Sequence, residues 1–386
     1  MQTKLKVGII GCGHIFDTYM RLAPLFGSIE IVACSDLNME VARKYANEYG
    51  LKAISVEALL QDTSIDIIAN LSTPRAHYDI NKRSLLAGKH VFCEKPMALT
   101  KQEALELIEL SEKQQRRLGI APDTFFGGAN QQARHLLDQG TLGKIIGGTC
   151  HLLNHGMESW HPNPASFFQV GGGPLFDMGP YYLSVLINLL GPVRQVAAMS
   201  SIVQKERTIT SKLLYGQKIQ VETPTTVNGV LEFHCGALVT LTMSWDVWET
   251  AHEPIEIYGE TGTLHLPDPN FFGGDLRLTN GKTLVENLPL WDHPLSRLNE
   301  TCSGDGIPVA NYRCSGLADM ANAITQGRAH RCSQELALHI IDIISSILQA
   351  GATREYVSLT TTCARPEPLN VDQASKLFHI DESIPA

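Results

Sequence analysis

The first chemically suggestive spacing lies near the amino terminus, in Gly8-Ile9-Ile10-Gly11-Cys12-Gly13. This stretch follows an apolar β-branched run and opens a helical pattern, the context in which a glycine turn receives a dinucleotide. Gly11 permits a tight turn, and Gly13 lets the backbone approach a pyrophosphate at the positive end of the helix. The third glycine of GxGxxG is absent, since Phe16 stands there. Asp36 ends the next β-branched run, about 20 residues beyond the loop, where a carboxylate can hydrogen-bond ribose hydroxyls. The same charge would repel a 2′-phosphate, and Leu37-Asn38 bring no arginine to receive one, so NAD is expected over NADP. His151 and His155 stand four apart, a spacing that suits a metal, but no closing ligand set accompanies them and none is expected. The nine cysteines include no CxxC pair, which leaves neither a zinc ribbon nor a disulfide framework signalled.

The elements that must position these groups change character partway along the chain. Strands are expected at 5–10, 29–35, 65–71 and 90–93, with helical patterns from the glycine loop through Leu22 and at 41–49 and 75–87. Thr100 and Glu103 form a capping box that opens a further helix, through Arg117. Repeated β-α-β units with short connections predict a mainly parallel, doubly wound Rossmann sheet with helices on both faces. After Pro122 a helix at 131–139 leads to period-2 strands at 229–235, 237–247 and 253–258, which predict an α+β region with a mostly antiparallel sheet. Helices are expected at 175–190 and 333–350, and long loops over 267–316. The expected division is a dinucleotide-binding domain over 1–122 and a substrate-binding and oligomerisation domain over 123–386.

Composition bounds the function. The 386 residues carry 31 basic and 40 acidic side chains, a net of −9 without a Lys/Arg run, so no nucleic-acid footprint is present. The amino terminus lacks a signal-peptide h-region, and the apolar stretch at 340–348 is interrupted by Asp342 and falls short of a membrane span. With scattered free thiols, the expectation is a cytoplasmic protein that engages no membrane.

Two later motifs narrow the reading: Cys93-Glu94-Lys95-Pro96 at a strand end, and Gly171-Gly172-Gly173-Pro174-Leu175-Phe176-Asp177-Met178-Gly179-Pro180-Tyr181. With the glycine loop and Thr73-Pro74, their order and spacing over residues 4–358 resemble the glucose–fructose oxidoreductase, inositol dehydrogenase and rhizopine catabolism family (Gfo/Idh/MocA). The resemblance implies a Rossmann domain followed by an open-faced sheet domain, with that sheet making a homodimer or homotetramer contact. It implies NAD held by Gly8, Gly11, Gly13, His14, Ile15, Asp36, Ser72, Thr73, Pro74, His77, Glu94 and Lys95. Lys95 matches the family lysine that holds the reacting oxygen, and Asp177 matches its substrate-domain aspartate. Where inositol dehydrogenase-like members carry His, this chain has Tyr181, as in branches that use tyrosine as acid/base. Asp177 and Tyr181 stand four apart, so one helix would present both on one face; alternatively Pro180 kinks that helix, or the helix starts later. His155, Trp160 and His161 are expected to line the substrate pocket. Asn311-Tyr312-Arg313 either approaches it or lies on a surface loop.

The implied activity is an NAD-dependent oxidoreductase moving hydride between nicotinamide and a carbinol or carbonyl carbon of a sugar, cyclitol or related polyhydroxy compound. The alternatives within the resemblance are an NAD-dependent glycosidase that works by transient oxidation and a non-catalytic NAD-binding sensor.

Overall fold

The apolar run of β1 (Leu5–Ile10) is buried from Val7 onward, as a strand covered on both faces must be. The structure is a computed structural model that describes residues 4–280, 286–301 and 306–379. After β1 come α1 (His14–Leu22), β2 (Ile29–Ser35), α2 (Met39–Tyr49), β3 (Lys52–Ala53) and α3 (Val56–Gln61). The unit continues with β4 (Ile67–Asn70), α4 (Pro74–Leu86), β5 (His90–Cys93), α5 (Lys101–Lys113) and β6 (Leu118–Ile120). These strands form a six-stranded parallel sheet in the order β3-β2-β1-β4-β5-β6. The Thr100–Glu103 capping box forms as expected, with both of its reciprocal bonds. The carboxyl ends of β1, β4 and β5 deliver the glycine loop, Ser72-Thr73-Pro74 and Glu94-Lys95 to one edge, where the strand order reverses.

The second sheet follows α6 (Gly128–Asp138), β7 (Ile145–Leu153), α7 (Gly173–Asp177) and α8 (Gly179–Leu190). Then come β8 (Val193–Ser201), the small pair β9 (Glu206–Thr208) and β10 (Lys218–Gln220), β11 (Thr226–Phe233), β12 (Leu238–Ser244) and β13 (Ile255–Gly259). Next in the chain are β14 (Thr263–Leu266), β15 (Arg277–Thr279), β16 (Glu286–Asn287) and the short pair β17 (Glu300–Thr301) and β18 (Pro308–Val309). Helices α9 (Ser315–Gln326) and α10 (Gln334–Thr353) and strand β19 (Val357–Ser358) follow. The nine-stranded order is β16-β15-β14-β13-β7-β12-β11-β8-β19, antiparallel except where β7 meets β12. Its inner face, including Cys150, Leu152, Val239, Leu241, Ile255 and Ile257, shares one apolar core with α8 and α10. Its outer face leaves Met199, Val230 and Leu238 exposed.

Three differences from the sequence expectation have physical causes. Strand β7 is hidden in the sequence because Gly147-Gly148 reads as a breaker. A Cβ at Gly147 would lie 2.1 Å from the Leu238 carbonyl oxygen and one at Gly148 2.2 Å from that of Glu256, so the glycines admit both neighbouring strands. The helix expected over 175–190 is two helices broken at Met178, with Pro180 in the first turn of α8, where its missing N–H is not needed. The return of the chain to the first sheet has no sequence signal either. Gly119 bridges Ser333, the Ile120 amide donates to the Cys332 carbonyl, and α9 and α10 flank β6. Residues beyond 122 thus build the second sheet and also pack against the β6 edge of the first. Among the described residues α10 is the one helix long and apolar enough to cross a membrane, and 67% of that window is buried, as in a core helix.

Candidate active site

Gly11 turns the chain at φ +101°, and a Cβ there would stand 2.6 Å from the Ser72 nitrogen and 2.7 Å from the Leu71 carbonyl. Both its dihedral and its approach to the loop after β4 therefore require glycine. Gly13 is different: its φ is −83°, and a Cβ there would meet no described atom within 4 Å. Packing within the chain does not ask for glycine there, whereas a pyrophosphate lying on the backbone does. Among the described residues no side chain caps α1, which leaves the first-turn amides around His14 and Ile15 available to an anion. Thr73, at the amino end of α4, likewise makes no capping bond. Asp36 accepts the Cys12 amide on Oδ2 and the Asn38 amide on Oδ1, each at 2.8 Å, so it braces the glycine loop from the end of β2. These residues fit NAD.

Two of the expected cofactor contacts hold other positions. Gly8 makes room for Leu59, whose side chain would lie 2.8 Å from a Cβ there, so this glycine serves the packing of α3 on β1. His77 is fully buried, with Nδ1 2.6 Å from the Pro96 carbonyl oxygen and Nε2 3.0 Å from that of Ser72. It ties the loops after β4 and β5 together, presenting no group to the cleft. Burial holds its imidazole below the usual range, with both carbonyls opposing.

The catalytic candidates do converge. Lys95 Nζ donates to Asp177 Oδ1 at 2.7 Å and to the Asp177 carbonyl oxygen, and it stands 5.1 Å from the Tyr181 ring centroid. The helix break makes this contact available. In an unbroken helix the Asp177 carbonyl would accept the Tyr181 amide, but that amide bonds the Met178 carbonyl. The orphaned oxygen at the end of α7 is then free for a cation. Burial pulls the Lys95 ammonium down, but Asp177, then Tyr181 and Glu94, outweigh it and hold its pKa above the ordinary value. Glu94 bonds locally, accepting the Tyr19 hydroxyl at 2.9 Å and the Lys95 amide at 3.3 Å.

The expected pocket residues separate. His161 stands edge-on to Phe167 and Trp160, and burial keeps its imidazole below the usual range, with His14 adding to this and Asp177 opposing. It is thus within electrostatic reach of His14 at the start of α1 and of Asp177. Trp160 is largely exposed beside it. His155 is instead stacked on Trp248, with ring centroids 3.5 Å apart, and is not among the groups brought to Lys95 or Asp177. His151 stacks on His252 on the outer face of the sheet, so the two histidines four apart face different partners. Arg313 stands in the sequence only within a loop tripeptide, yet it lies 5.8 Å from the Tyr181 ring centroid. No spacing motif marks it, because some 130 residues separate it from Tyr181.

The chain is similar to known proteins through both of its halves. Residues 5–121 match an oxidoreductase family with an NAD-binding Rossmann fold, and residues 130–265 match the GFO/IDH/MocA C-terminal domain. The D-glucoside 3-dehydrogenase of Escherichia coli is 30% identical over 252 residues, covering 63% of this chain and 71% of that protein. The myo-inositol 2-dehydrogenase of Thermotoga maritima is 24% identical, covering 67% and 74% respectively. A levoglucosan dehydrogenase solved with NADH and L-sorbose superposes with a TM-score of 0.76 at 20% identity, covering 94% of this chain and 100% of that one. Matched through both halves, the chain belongs to the Gfo/Idh/MocA family and is an NAD-binding oxidoreductase.

Proposed function

We propose that this chain oxidises a carbinol carbon of a sugar, cyclitol or related polyhydroxy compound, or reduces the matching carbonyl, with Lys95, Asp177 and Tyr181 as its catalytic group. The observation that carries this is the Lys95 ammonium bound to Asp177 and set over the Tyr181 ring at the end of β5. NAD, when bound, supplies the hydride acceptor. Tyr181, as the phenolate, takes the hydroxyl proton, and Lys95 stabilises the alkoxide left when that O–H bond breaks, before the carbon gives up its hydride and becomes the carbonyl. Asp177 fixes the lysine from the opposite half of the chain, and His161 and Trp160 flank the substrate. Gly11, Gly13, His14, Ile15, Asp36 and Ser72-Thr73-Pro74 hold the cofactor. The relatives' names, a glucoside and an inositol dehydrogenase, support a polyhydroxy substrate.

In this reading residues 1–122 form the dinucleotide half and 123–386 the substrate half, and the protein works in the cytoplasm. The outer face of the nine-stranded sheet, with Met199, Val230 and Leu238 exposed, forms a homodimer or homotetramer. The test is NAD and NADP reduction against aldoses, inositols, amino sugars and glycosides, with Tyr181→Phe alongside. NADH should form with at least one polyol and Tyr181→Phe should lose most turnover. Full turnover in Tyr181→Phe refutes the acid/base assignment, and glycoside cleavage without net NADH refutes the dehydrogenase reading.

A further inference from the structure

Arg313 occupies an unusual position for a loop arginine. Its Nη2 donates to the Asn270 carbonyl oxygen at 3.1 Å and to Asn270 Oδ1 at 2.7 Å, and its Nη1 donates to Asn311 Oδ1 at 3.1 Å. Both asparagines are themselves held. The Asn270 amide donates to Asp268 Oδ1 at 2.9 Å, and Asn311 Nδ2 donates to Glu300 Oε2 at 2.7 Å. The guanidinium is thus clamped from two loops, with its carbon 5.8 Å from the Tyr181 ring centroid. Lys95 is the second cation on the same ring, at 5.1 Å.

The backbone beside Arg313 is constrained as well. Cys314 is fully buried at φ +88°, a conformation that L residues seldom adopt. The next two residues open α9 and are fixed by buried Asp123, whose Oδ2 accepts Ser315 Oγ at 3.0 Å and the Gly316 amide at 2.8 Å. This turn delivers Arg313 to Tyr181 from the start of α9, opposite Lys95 at the end of β5.

We propose that Arg313 is a positioning residue for Tyr181: its clamped guanidinium stabilises the negative charge on the phenol oxygen when Tyr181 acts as base, sharing that task with Lys95. The inference rests on the reading of Tyr181 as the acid/base. A role in receiving a substrate carboxylate fits less well, because Asn270 and Asn311 already occupy the guanidinium fork. The charged groups around Tyr181 are Lys95 after β5, Asp177 on α7 and Arg313 before α9. Arg313 in turn feels Asp123 after β6, Glu94 after β5 and Asp268 from the loop after β14. Burial pulls the guanidinium down, and Tyr181, then Asp123 and Glu94, outweigh it.

The test is ultraviolet difference absorbance of tyrosinate against pH on the full chain, with Tyr181 isolated by subtracting the Tyr181→Phe curve. In Arg313→Met the Tyr181 ionisation should move upward, and Arg313→Lys should restore part of the shift. Arg313→Gln, which retains hydrogen-bonding capacity without charge, gives the same upward shift if the Met variant is too unstable to titrate. NADH binding and the melting temperature report that each variant is folded. An unmoved Tyr181 ionisation in a folded Met or Gln variant overturns the proposal. An active Tyr181→Phe refutes the acid/base reading alone, since the titration needs no substrate. An inactive Tyr181→Phe with an unmoved titration refutes only the role of Arg313.

Discussion

Asp36 carries two tasks whose separation can be measured. Its two oxygens accept the Cys12 and Asn38 amides, but a carboxylate has roughly four lone-pair sites, so capacity remains for the ribose hydroxyls. Asp36→Asn keeps one acceptor oxygen and removes the charge; Asp36→Ala removes both. Hydrogen bonds to a charged group contribute about 1.5–3 kcal/mol against about 1 for neutral ones. Asp36→Asn should therefore weaken NADH binding by roughly 1–1.5 kcal/mol, about tenfold. For NADPH the balance reverses. A carboxylate about 6 Å from a phosphate charge costs between roughly 0.7 kcal/mol in water and 3 kcal/mol at an effective dielectric near 20. Removing that repulsion offsets the lost hydrogen bond, so the NADH-to-NADPH preference should fall by about 1.5–4 kcal/mol, on the order of 10- to 1000-fold. Asp36→Ala should also lose NADH affinity through the loop, since the Cys12 and Asn38 amides then lose their partner.

The assay is the Kd for NADH and NADPH by fluorescence titration at fixed ionic strength, because a charge effect at a half-exposed site is screened by salt. The reasoning is refuted if Asp36→Asn leaves the ratio of the two constants unchanged. It is refuted equally if NADPH already binds the wild-type chain more tightly than NADH.

Four further outcomes can be measured. Gly11→Ala should lower folding stability by about 2–4 kcal/mol, read by urea denaturation, because the new Cβ meets the Leu71 and Ser72 backbone at 2.6–2.7 Å. Gly13→Ala should leave stability within about 0.5 kcal/mol while weakening NADH binding, and equal destabilisation of the two variants would contradict the assignment. Lys95→Met should cut turnover by about 100- to 1000-fold with little change in NADH affinity, checked by steady-state kinetics and titration. Asp123 gives the pH dependence: burial first, then Glu94, push its carboxyl up to about 6, against the Gly316 amide, Arg313 and Ser315. A folded-state value above the unfolded one makes the charged form destabilising. That cost, on the order of 3 kcal/mol from 1.36 kcal/mol per unit, is present above pH 6 and fades as the pH falls towards 4. Urea denaturation of wild type between pH 8 and 4 should show this gain relative to Asp123→Asn, and parallel curves would refute it.

The sequence is most legible where local rules decide the outcome. Continuous apolar runs flanked by capped helices identify the strands of the first sheet, and the Thr100 capping box forms with both its bonds. Legibility fails where a distant neighbour sets the local form. Gly147-Gly148 reads as a breaker until Leu238 and Glu256 are seen lying against it. His77 reads as a cofactor ligand until Ser72 and Pro96 occupy both its nitrogens. His155 shares a segment with His161, but Trp248 draws it away. Arg313 carries no local pattern at all, since its orientation is set by Asn270, Asn311 and the turn at Cys314.

The break at Met178 links fold to chemistry more directly than the spacing of Asp177 and Tyr181 does. One continuous helix would place both side chains on the same face but would seal the Asp177 carbonyl in its own ladder. The Gly179-Pro180 start of α8 leaves that oxygen orphaned, and an orphaned carbonyl beside a carboxylate is a strong site for an ammonium. Lys95 fills it from across the cleft, joining the end of β5 to the end of α7. Lys95 is thereby held by main chain and side chain of the opposite half, while Arg75 and Gln169 add a second bond across the same cleft at 2.9 Å. A site assembled in this way exists only when the two sheets are docked. The proline that interrupts the helix pattern is therefore part of how the lysine is placed.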